Sequence, residues 1–226
     1  MTDAAAERDD AHLDEAEALA AADPNAAYAS GAKILSLGIA ATGLFTFLYF
    51  SVASHVLAPD PYGKVALLWS ILFVVICVIY RPVEQLLSRT IADRRARGLH
   101  TGHPLRIPLG IQAGFALAFL VLALALRPQL EDLFDSASLY WIFTGAALAY
   151  AASYFARGYF AGHQWFALYG GLVLFESVSR FCFPVAVAVG IASGQTAVAL
   201  GILAAPIASL LVVPWAIARH TRLDAE

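Results

Sequence analysis

Charge and cysteine are both scarce in this sequence. Only 14% of its 226 residues are Asp, Glu, Lys or Arg, against about 25% in ordinary soluble domains. The two cysteines, Cys77 and Cys182, each lie inside an apolar run. They give neither a disulfide framework nor the spacing of a metal site. These shortages argue against a secreted disulfide-rich domain and against an ordinary soluble protein.

Catalytic and phosphate-binding motifs are missing as well. The six histidines are scattered, without the nearby cysteines or acids that would complete a metal site. The glycines in GYFAG and YGG lack the lysine and the preceding strand of a phosphate-binding loop. No nucleophile–base motif is apparent. We therefore expect no enzyme activity, no cofactor and no nucleic-acid partner.

Apolar residues are what the chain has in abundance. They make up 60% of it, and its mean hydropathy is +0.70, more than one soluble core could bury. The charges are unevenly placed: residues 1–30 contain eight acids and one arginine, whereas the rest contains nine acids and 13 bases. The sequence predicts an acidic tail over 1–30, disordered or only transiently helical, and a membrane domain over 31–222.

Long uncharged stretches mark the membrane spans. A helix needs about 20 apolar residues to cross about 30 Å of hydrocarbon. The stretch from Gly158 to Ala218, whose only charges are Glu176 and Arg180, is long enough for two helices divided at GIASGQT. The alternation typical of barrel strands is absent. The sequence therefore predicts an all-α bundle of six transmembrane helices. The predicted spans are 34–57, 64–88, 107–126, 137–157, 167–190 and 196–218.

Arginines set the predicted orientation. Five of them lie between the second and third spans, Arg157 follows the fourth span, and Arg219 and Arg222 follow the sixth. All these segments lie on one side of the cytoplasmic membrane if both termini are cytoplasmic. We expect the segment RTIADRRARG to contact anionic lipid head groups. Trp69 and Trp141 are expected near the outer membrane surface, in an aromatic belt.

Two opposite charges lie in the middle of the fifth span. Glu176 and Arg180 are one helical turn apart on the same face, in the order that favours an ion pair. Each costs about 2.5–3.5 kcal/mol at a bilayer centre, so they must face the bundle interior or a wet cavity. Pro184 cannot donate to the Arg180 carbonyl, which predicts a kink and a free acceptor. Two interpretations stay open: Glu176 and Arg180 only neutralise each other and lock helix packing, or they line the path of a substrate or ion.

Other polar residues are further candidates for the same cavity. Arg81 and Glu84 lie on the polar stripe of the second helix, which is predicted to continue beyond the membrane; they either line the cavity or anchor that helix at the interface. Gln112 is an uncharged candidate in the third span. Small residues at four-residue spacing predict close helix contacts. These pairs are Gly110/Gly114, Gly145/Ala149, Gly158/Gly162 and Gly190/Gly194.

Two stretches resemble a known family. LAPDPYGKVALLWS (Leu57–Ser70) resembles the L-x-P-x-x-Y-G turn between the first two helices of polysaccharide flippases. ARGYFAGHQWFALYGGLVLFESVSRF (Ala156–Phe181) resembles their R-G-x-x-x-G segment and the helix after it, with its internal Glu and Arg. The chain is thus similar to the N-terminal half of Wzx-like lipid-linked oligosaccharide flippases. Their superfamily includes the multidrug and toxin extruders and the lipid II flippase.

The resemblance implies one lobe of a two-lobe transporter that moves an undecaprenyl-pyrophosphate-linked glycan outward by alternating access. The family carries cationic residues in its cavity, and Arg180 and Arg157 are the matching positions here. Family members have twelve to fourteen helices, so a second six-helix lobe or a homodimer partner is expected, and the chain is interpreted as a fragment, a split half or a dimer subunit. The alternatives are a cation-coupled multidrug extruder lobe, which would require Glu176, and a non-transporting membrane scaffold.

Overall fold

The architecture is that of a computed structural model, which describes residues 24–98 and 105–223. Within these ranges the chain forms seven α-helices and no strand. Most of the acidic tail predicted over 1–30 lies outside the described residues, and the first helix begins inside that segment, at Pro24. The helices are α1 (Pro24–Val56), α2 (Pro59–Ala96), α3 (Arg106–Ala125), α4 (Arg127–Phe134), α5 (Ala137–Gly162), α6 (Phe166–Ala188) and α7 (Gly194–Leu223).

Six of these helices are long and apolar enough to cross a membrane, and only α4 is too short. The predicted all-α bundle of six spans is therefore confirmed, and the chain is a multi-pass membrane protein. The sequence did not predict α4, an eight-residue helix between the third and fourth spans. It ends at Asp135, whose left-handed backbone (φ 47°) turns the chain. Ser136 then caps α5 by accepting a hydrogen bond from the Leu139 amide.

The second span continues without a break into its polar extension, as predicted. One π-helical turn, Ile76–Tyr80, ends two residues before Pro82. In this turn the Arg81 amide donates to the Ile76 carbonyl, five residues back. Proline removes one donor and crowds the preceding turn, so the wider turn keeps α2 continuous where a straight α-helix would lose a bond.

Helix α5 lies at the centre of the bundle. It packs against α7 and against the second half of α2, while α6 packs between α1 and α7. Most of the central segment of α5 is buried, whereas α3 lies at the periphery and leaves residues such as Ile107 and Leu117 more than 60% exposed. We call the end of the bundle where α2 ends and α6 begins the arginine end. The opposite end, where α2 begins, is the lysine end.

The R-G-x-x-x-G segment brings α5 and α2 into backbone contact at the arginine end. A Cβ atom added to Gly158 would lie 2.8 Å from the Glu84 carbonyl oxygen, and one added to Gly162 would lie 2.7 Å from the Ile91 Cβ. The predicted Gly158/Gly162 contact is therefore confirmed. Only glycine allows so close an approach, and this approach places Arg157 beside Glu84.

The other small-residue pairs behave differently. Gly145 meets a Leu203 side chain of α7. Gly110 and Gly114 have open space around them, so the predicted close contact there is wrong within this chain. Gly190 and Gly194 have positive φ angles of 78° and 82° and form the turn between α6 and α7, so they are turn glycines rather than a helix contact.

A salt bridge ties the turns together at the lysine end. The Lys64 ammonium contacts both the Asp60 and Asp135 carboxylates at 2.8 Å. Its hydrogen bond lowers the pKa of Asp135 from the usual 3.8. Because the folded-state pKa is depressed, this contribution to stability is complete at neutral pH and is lost only as the pH falls through that lowered value.

The glycine contact between α5 and α2 gives a direct test of the packing. Gly158→Ala puts a methyl group against a backbone carbonyl that cannot rotate away, which should cost about 1–3 kcal/mol of stability. Gly43→Ala, in open space on α1, is the matched control and should leave stability unchanged or slightly raised, because alanine favours helix. Thermal unfolding in detergent measures both. Equal melting temperatures for the two variants would contradict the contact.

Candidate functional site

The centre of the bundle contains an ion pair between two helices. Arg157 of α5 donates from Nη2 to Glu176 Oε2 of α6 at 2.7 Å. The Ser153 hydroxyl, one turn before Arg157, donates to the same carboxylate oxygen at 3.1 Å. Arg157 and Glu176 are only 7% and 3% exposed. The carboxylate is thus held by two donors from α5.

Helix geometry explains why these side chains meet. α5 and α6 run in opposite directions, and side chains tilt toward the N-terminus of their own helix. Arg157, near the arginine end of α5, therefore reaches toward the lysine end. Glu176 lies about 15 Å along α6 from its start and reaches back toward the arginine end, where it meets Arg157. The Tyr154 ring lies under the guanidinium, 4.4 Å from its Cζ, and covers the apolar face of the cation.

Arg180 has a different environment from Arg157. Its guanidinium stacks on the indole ring of Trp69 in α2, with Cζ 4.2 Å from the ring centroid. Arg180 is 3% exposed, and its Nε and Nη1 atoms have no hydrogen-bond partner in the described part of the chain. No carboxylate of the described residues lies within salt-bridge distance of it.

The intrahelical pair expected between Glu176 and Arg180 does not form. The carboxylate is taken by Arg157 and the guanidinium by Trp69, so each charge of α6 pairs with a different neighbouring helix. The interpretation that these two charges simply neutralise each other is wrong for this structure. Arg180 remains as a buried cation whose partner among the described residues is the Trp69 ring.

The backbone around Arg180 depends on Pro184 and on a close approach of α7. Pro184 lies inside α6, which stays continuous through it, and cannot donate to the Arg180 carbonyl. A Cβ atom added to Gly201 of α7 would lie only 2.8 Å from that carbonyl oxygen. The glycine therefore lets α7 pack directly against the turn of α6 that presents Arg180.

Glu84 belongs to the same polar region, at its arginine end. Its Oε1 accepts a hydrogen bond from the Tyr169 hydroxyl at 2.7 Å, and the charge of Arg157 acts on it. Arg81, one turn earlier on α2, is exposed and acts on Glu84 only through its charge. The structure therefore brings Glu84 to the cluster and leaves Arg81 at its edge.

Gln112 lies apart from the charged residues. Its Nε2 donates to the Ala151 carbonyl of α5 at 2.6 Å. The residues of α5 at the ion pair, Ser153, Tyr154 and Arg157, share the face of the helix centred on Tyr150. Ala151, which Gln112 contacts, lies about 100° around the helix from Tyr150. The geometry gives Gln112 the role of attaching the peripheral α3 to the central helix.

Sequence reasoning missed several residues of this site. Ser153 and Tyr154 precede Arg157 by four and three residues, so helical spacing could have placed them on its face. Nothing in the spacing of the sequence placed Tyr169 beside Glu84. Trp69 was expected in the aromatic belt near the outer membrane surface, but its ring lies against Arg180 inside the bundle. A contact between helices distant in sequence leaves no local pattern.

Comparison with known proteins places the fold. No protein-family model and no curated protein sequence gives a significant match to this chain. A solved structure with a similar fold is described as the outward-facing conformation of a multidrug resistance MATE family transporter of the MOP superfamily, with a TM-score of 0.60 and 15% sequence identity. The match covers 85% of this chain and 45% of that transporter. This chain thus has the fold of slightly less than half of a MATE transporter.

The ion pair gives the test of this site. Glu176→Gln leaves the Arg157 cation buried without a counter-charge, which should cost about 3–5 kcal/mol of unfolding free energy. Arg157→Gln in the same chain should restore most of that loss, because neither of the two positions then carries an unpaired charge. Unfolding in mixed detergent micelles measures the four corners of this cycle. The exposed pair of Asp93 and Arg97 is the control, with an expected coupling of about 0.2–1 kcal/mol. A double variant as unstable as the Glu176 single variant would contradict the pairing.

Proposed function

We propose that this chain is one lobe of a transporter that moves an anionic, lipid-linked oligosaccharide precursor across the cytoplasmic membrane. The carrying observation is the charge balance of its centre. Arg157 and Glu176 form an ion pair, and Arg180 is left as a buried cation with no acid within salt-bridge distance among the described residues. A guanidinium with no acid of its own suits an anion, since its planar donor fork matches phosphate oxygens.

The fold supports a transport role of this kind. The likeness to somewhat less than half of a MATE transporter agrees with a lobe that works against a second six-helix lobe or a second copy of this chain. In this proposal both termini and the arginine end face the cytoplasm, and the pyrophosphate head meets Arg180 in the middle of the bundle. Alternating access then carries the head group past α2 and α6, and the glycan follows through the space between the lobes.

A second candidate is a lobe of a cation-coupled multidrug extruder, which the described function of the similar structure favours. In such a protein a free carboxylate would bind the coupling ion or the organic cation. Glu176 is a poor choice for that task, because Arg157 and Ser153 already occupy its Oε2. Glu84, which accepts a hydrogen bond from Tyr169 and has no ion pair among the described residues, is the better carboxylate for it.

Export of glycan separates these functions. Arg180→Ala should reduce export at least about tenfold in a strain that lacks its own flippase, because a charge-assisted contact to phosphate contributes about 1.5–3 kcal/mol. The chain is expressed there together with its partner lobe, or as the homodimer. Arg127→Ala, which removes an exposed arginine paired with Glu131, is the matched control and should export normally.

The same strains also test whether the chain acts as a multidrug extruder lobe. Efflux of an organic cation such as ethidium that survives Arg180→Ala but is lost in Glu84→Gln would indicate the extruder. Glycan export that is unchanged in Arg180→Ala would remove this arginine from the mechanism, and with it the flippase proposal.

A further inference from the structure

We infer that Arg157 and Trp69 do not bind the transported anion themselves but keep Arg180 available for it: Arg157 by occupying Glu176, and Trp69 by holding the guanidinium plane. This inference rests on the proposed anion site at Arg180. It assigns Arg157 a positioning role in place of the substrate contact that the family resemblance implies, and it adds Trp69 to the site.

The competition comes from α6 itself. Glu176 and Arg180 are four residues apart in the order that best favours an ion pair. Side chains on a helix lean toward its N-terminus, so Arg180 leans over the turn that carries Glu176. With no other partner nearby, these two groups would pair and bury both charges. An anion would then have to break that pair before it could bind.

Arg157 prevents that pairing from the neighbouring helix. Its Nη2 lies 2.7 Å from Glu176 Oε2, and the Ser153 hydroxyl fills a second position on the same oxygen. The backbone contact of Gly158 with Glu84 fixes the α5 turn that carries Arg157. Arg157 is buried and lies over the Tyr154 ring, so little freedom remains for it to release the carboxylate.

Trp69 holds the other half of the arrangement. Its ring covers one face of the Arg180 guanidinium at 4.2 Å, and it is itself flanked by the rings of Phe50 and Phe73, each 6.4 Å away. Stacking uses the face of a guanidinium, whereas its N–H donors point outward in the plane. Within the described part of the chain, Nε and Nη1 therefore have no hydrogen-bond partner while the cation is held. The contact is thus compatible with two hydrogen bonds to an oxyanion along the guanidinium edge.

The experiment measures binding of farnesyl pyrophosphate to the purified full-length chain in lipid nanodiscs, with farnesol as the uncharged control ligand. Arg157→Gln should weaken binding at least about tenfold, because Glu176 then captures Arg180. The double variant Arg157→Gln with Glu176→Gln should bind within about threefold of the wild type, because no carboxylate is left to compete. The double variant carries no unpaired buried charge at these two positions, so it remains informative if the single variant does not fold.

The outcomes separate the inference from the proposed function. If the wild type binds farnesyl pyrophosphate no better than farnesol, the proposed anion site fails. If the wild type binds and Arg157→Gln binds equally well, the positioning role of Arg157 is wrong. A well-folded double variant that does not bind would show that Arg157 touches the ligand directly, which also overturns the inference.

Trp69 supplies an independent spectroscopic readout. With Trp141, Trp165 and Trp215 replaced by phenylalanine, the emission of Trp69 should change when farnesyl pyrophosphate binds and stay constant with farnesol. Trp69→Phe in the wild-type background should keep binding within about threefold, and Trp69→Leu should weaken it about tenfold, because only an aromatic ring stabilises the cation face. Equal affinities for the phenylalanine and leucine variants, with an emission that ignores the ligand, would remove Trp69 from the site.

Discussion

The ion pair between Arg157 and Glu176 is the constraint on which the rest of the site depends. Two arginines and one glutamate meet in the middle of the bundle, with Glu84 at the arginine end of the same polar region. Among the described residues, Arg180 has no acid within salt-bridge distance. A charge at that depth costs several kcal/mol unless it is paired or stacked. The structure resolves this conflict by giving the carboxylate to α5 and the aromatic ring of α2 to the remaining arginine.

The helix packing serves this division of partners. Glycines at 158 and 162 bring α5 against α2, and Gly201 brings α7 against the α6 turn of Arg180. The helices that supply Arg157 and Trp69 are therefore fixed against each other by contacts in which no larger residue fits. The α6 turn of Arg180 is fixed in the same way against α7, which in turn packs on α5. α3 contributes no side chain to this arrangement. It meets α5 through the amide of Gln112 and through Phe119, which packs on Phe143, and its other face exposes apolar side chains. The glycine contacts that hold the helices together thus also position the charged side chains of the site.

Much of this arrangement could be predicted from local sequence patterns. Uncharged runs gave the six spans, the polar stripe of α2 gave its continuation past the membrane, and the intramembrane charges of α6 gave the centre of the site. Gly158 and Gly162 were recognised because helix contacts in membranes favour small residues at that spacing. Each of these features depends on residues that lie close together in the sequence.

The partners of the charges could not be predicted in the same way. Helical spacing favours Glu176 with Arg180, and the actual choice depends on where α5 and α2 lie in space. By sequence alone, Trp69 fits an aromatic belt as well as it fits a contact with Arg180. The short helix α4 was missed for another reason: its eight residues carry too little apolar surface to give a helical pattern. Gly110 and Gly114 have the same spacing as the packed glycines but face open space, so the pattern alone does not tell a contact from its absence.

Solid-state NMR on the protein in lipid bilayers, with labelled glutamate and arginine, tests the central claim most directly. The account predicts a through-space correlation between the Glu176 side-chain carboxyl carbon and the guanidinium nitrogens of Arg157, which disappears in Glu176→Gln. It also predicts an Arg180 signal shifted by the ring current of Trp69, without a carboxylate correlation. A strong correlation between Glu176 and Arg180 in the wild type would contradict the account.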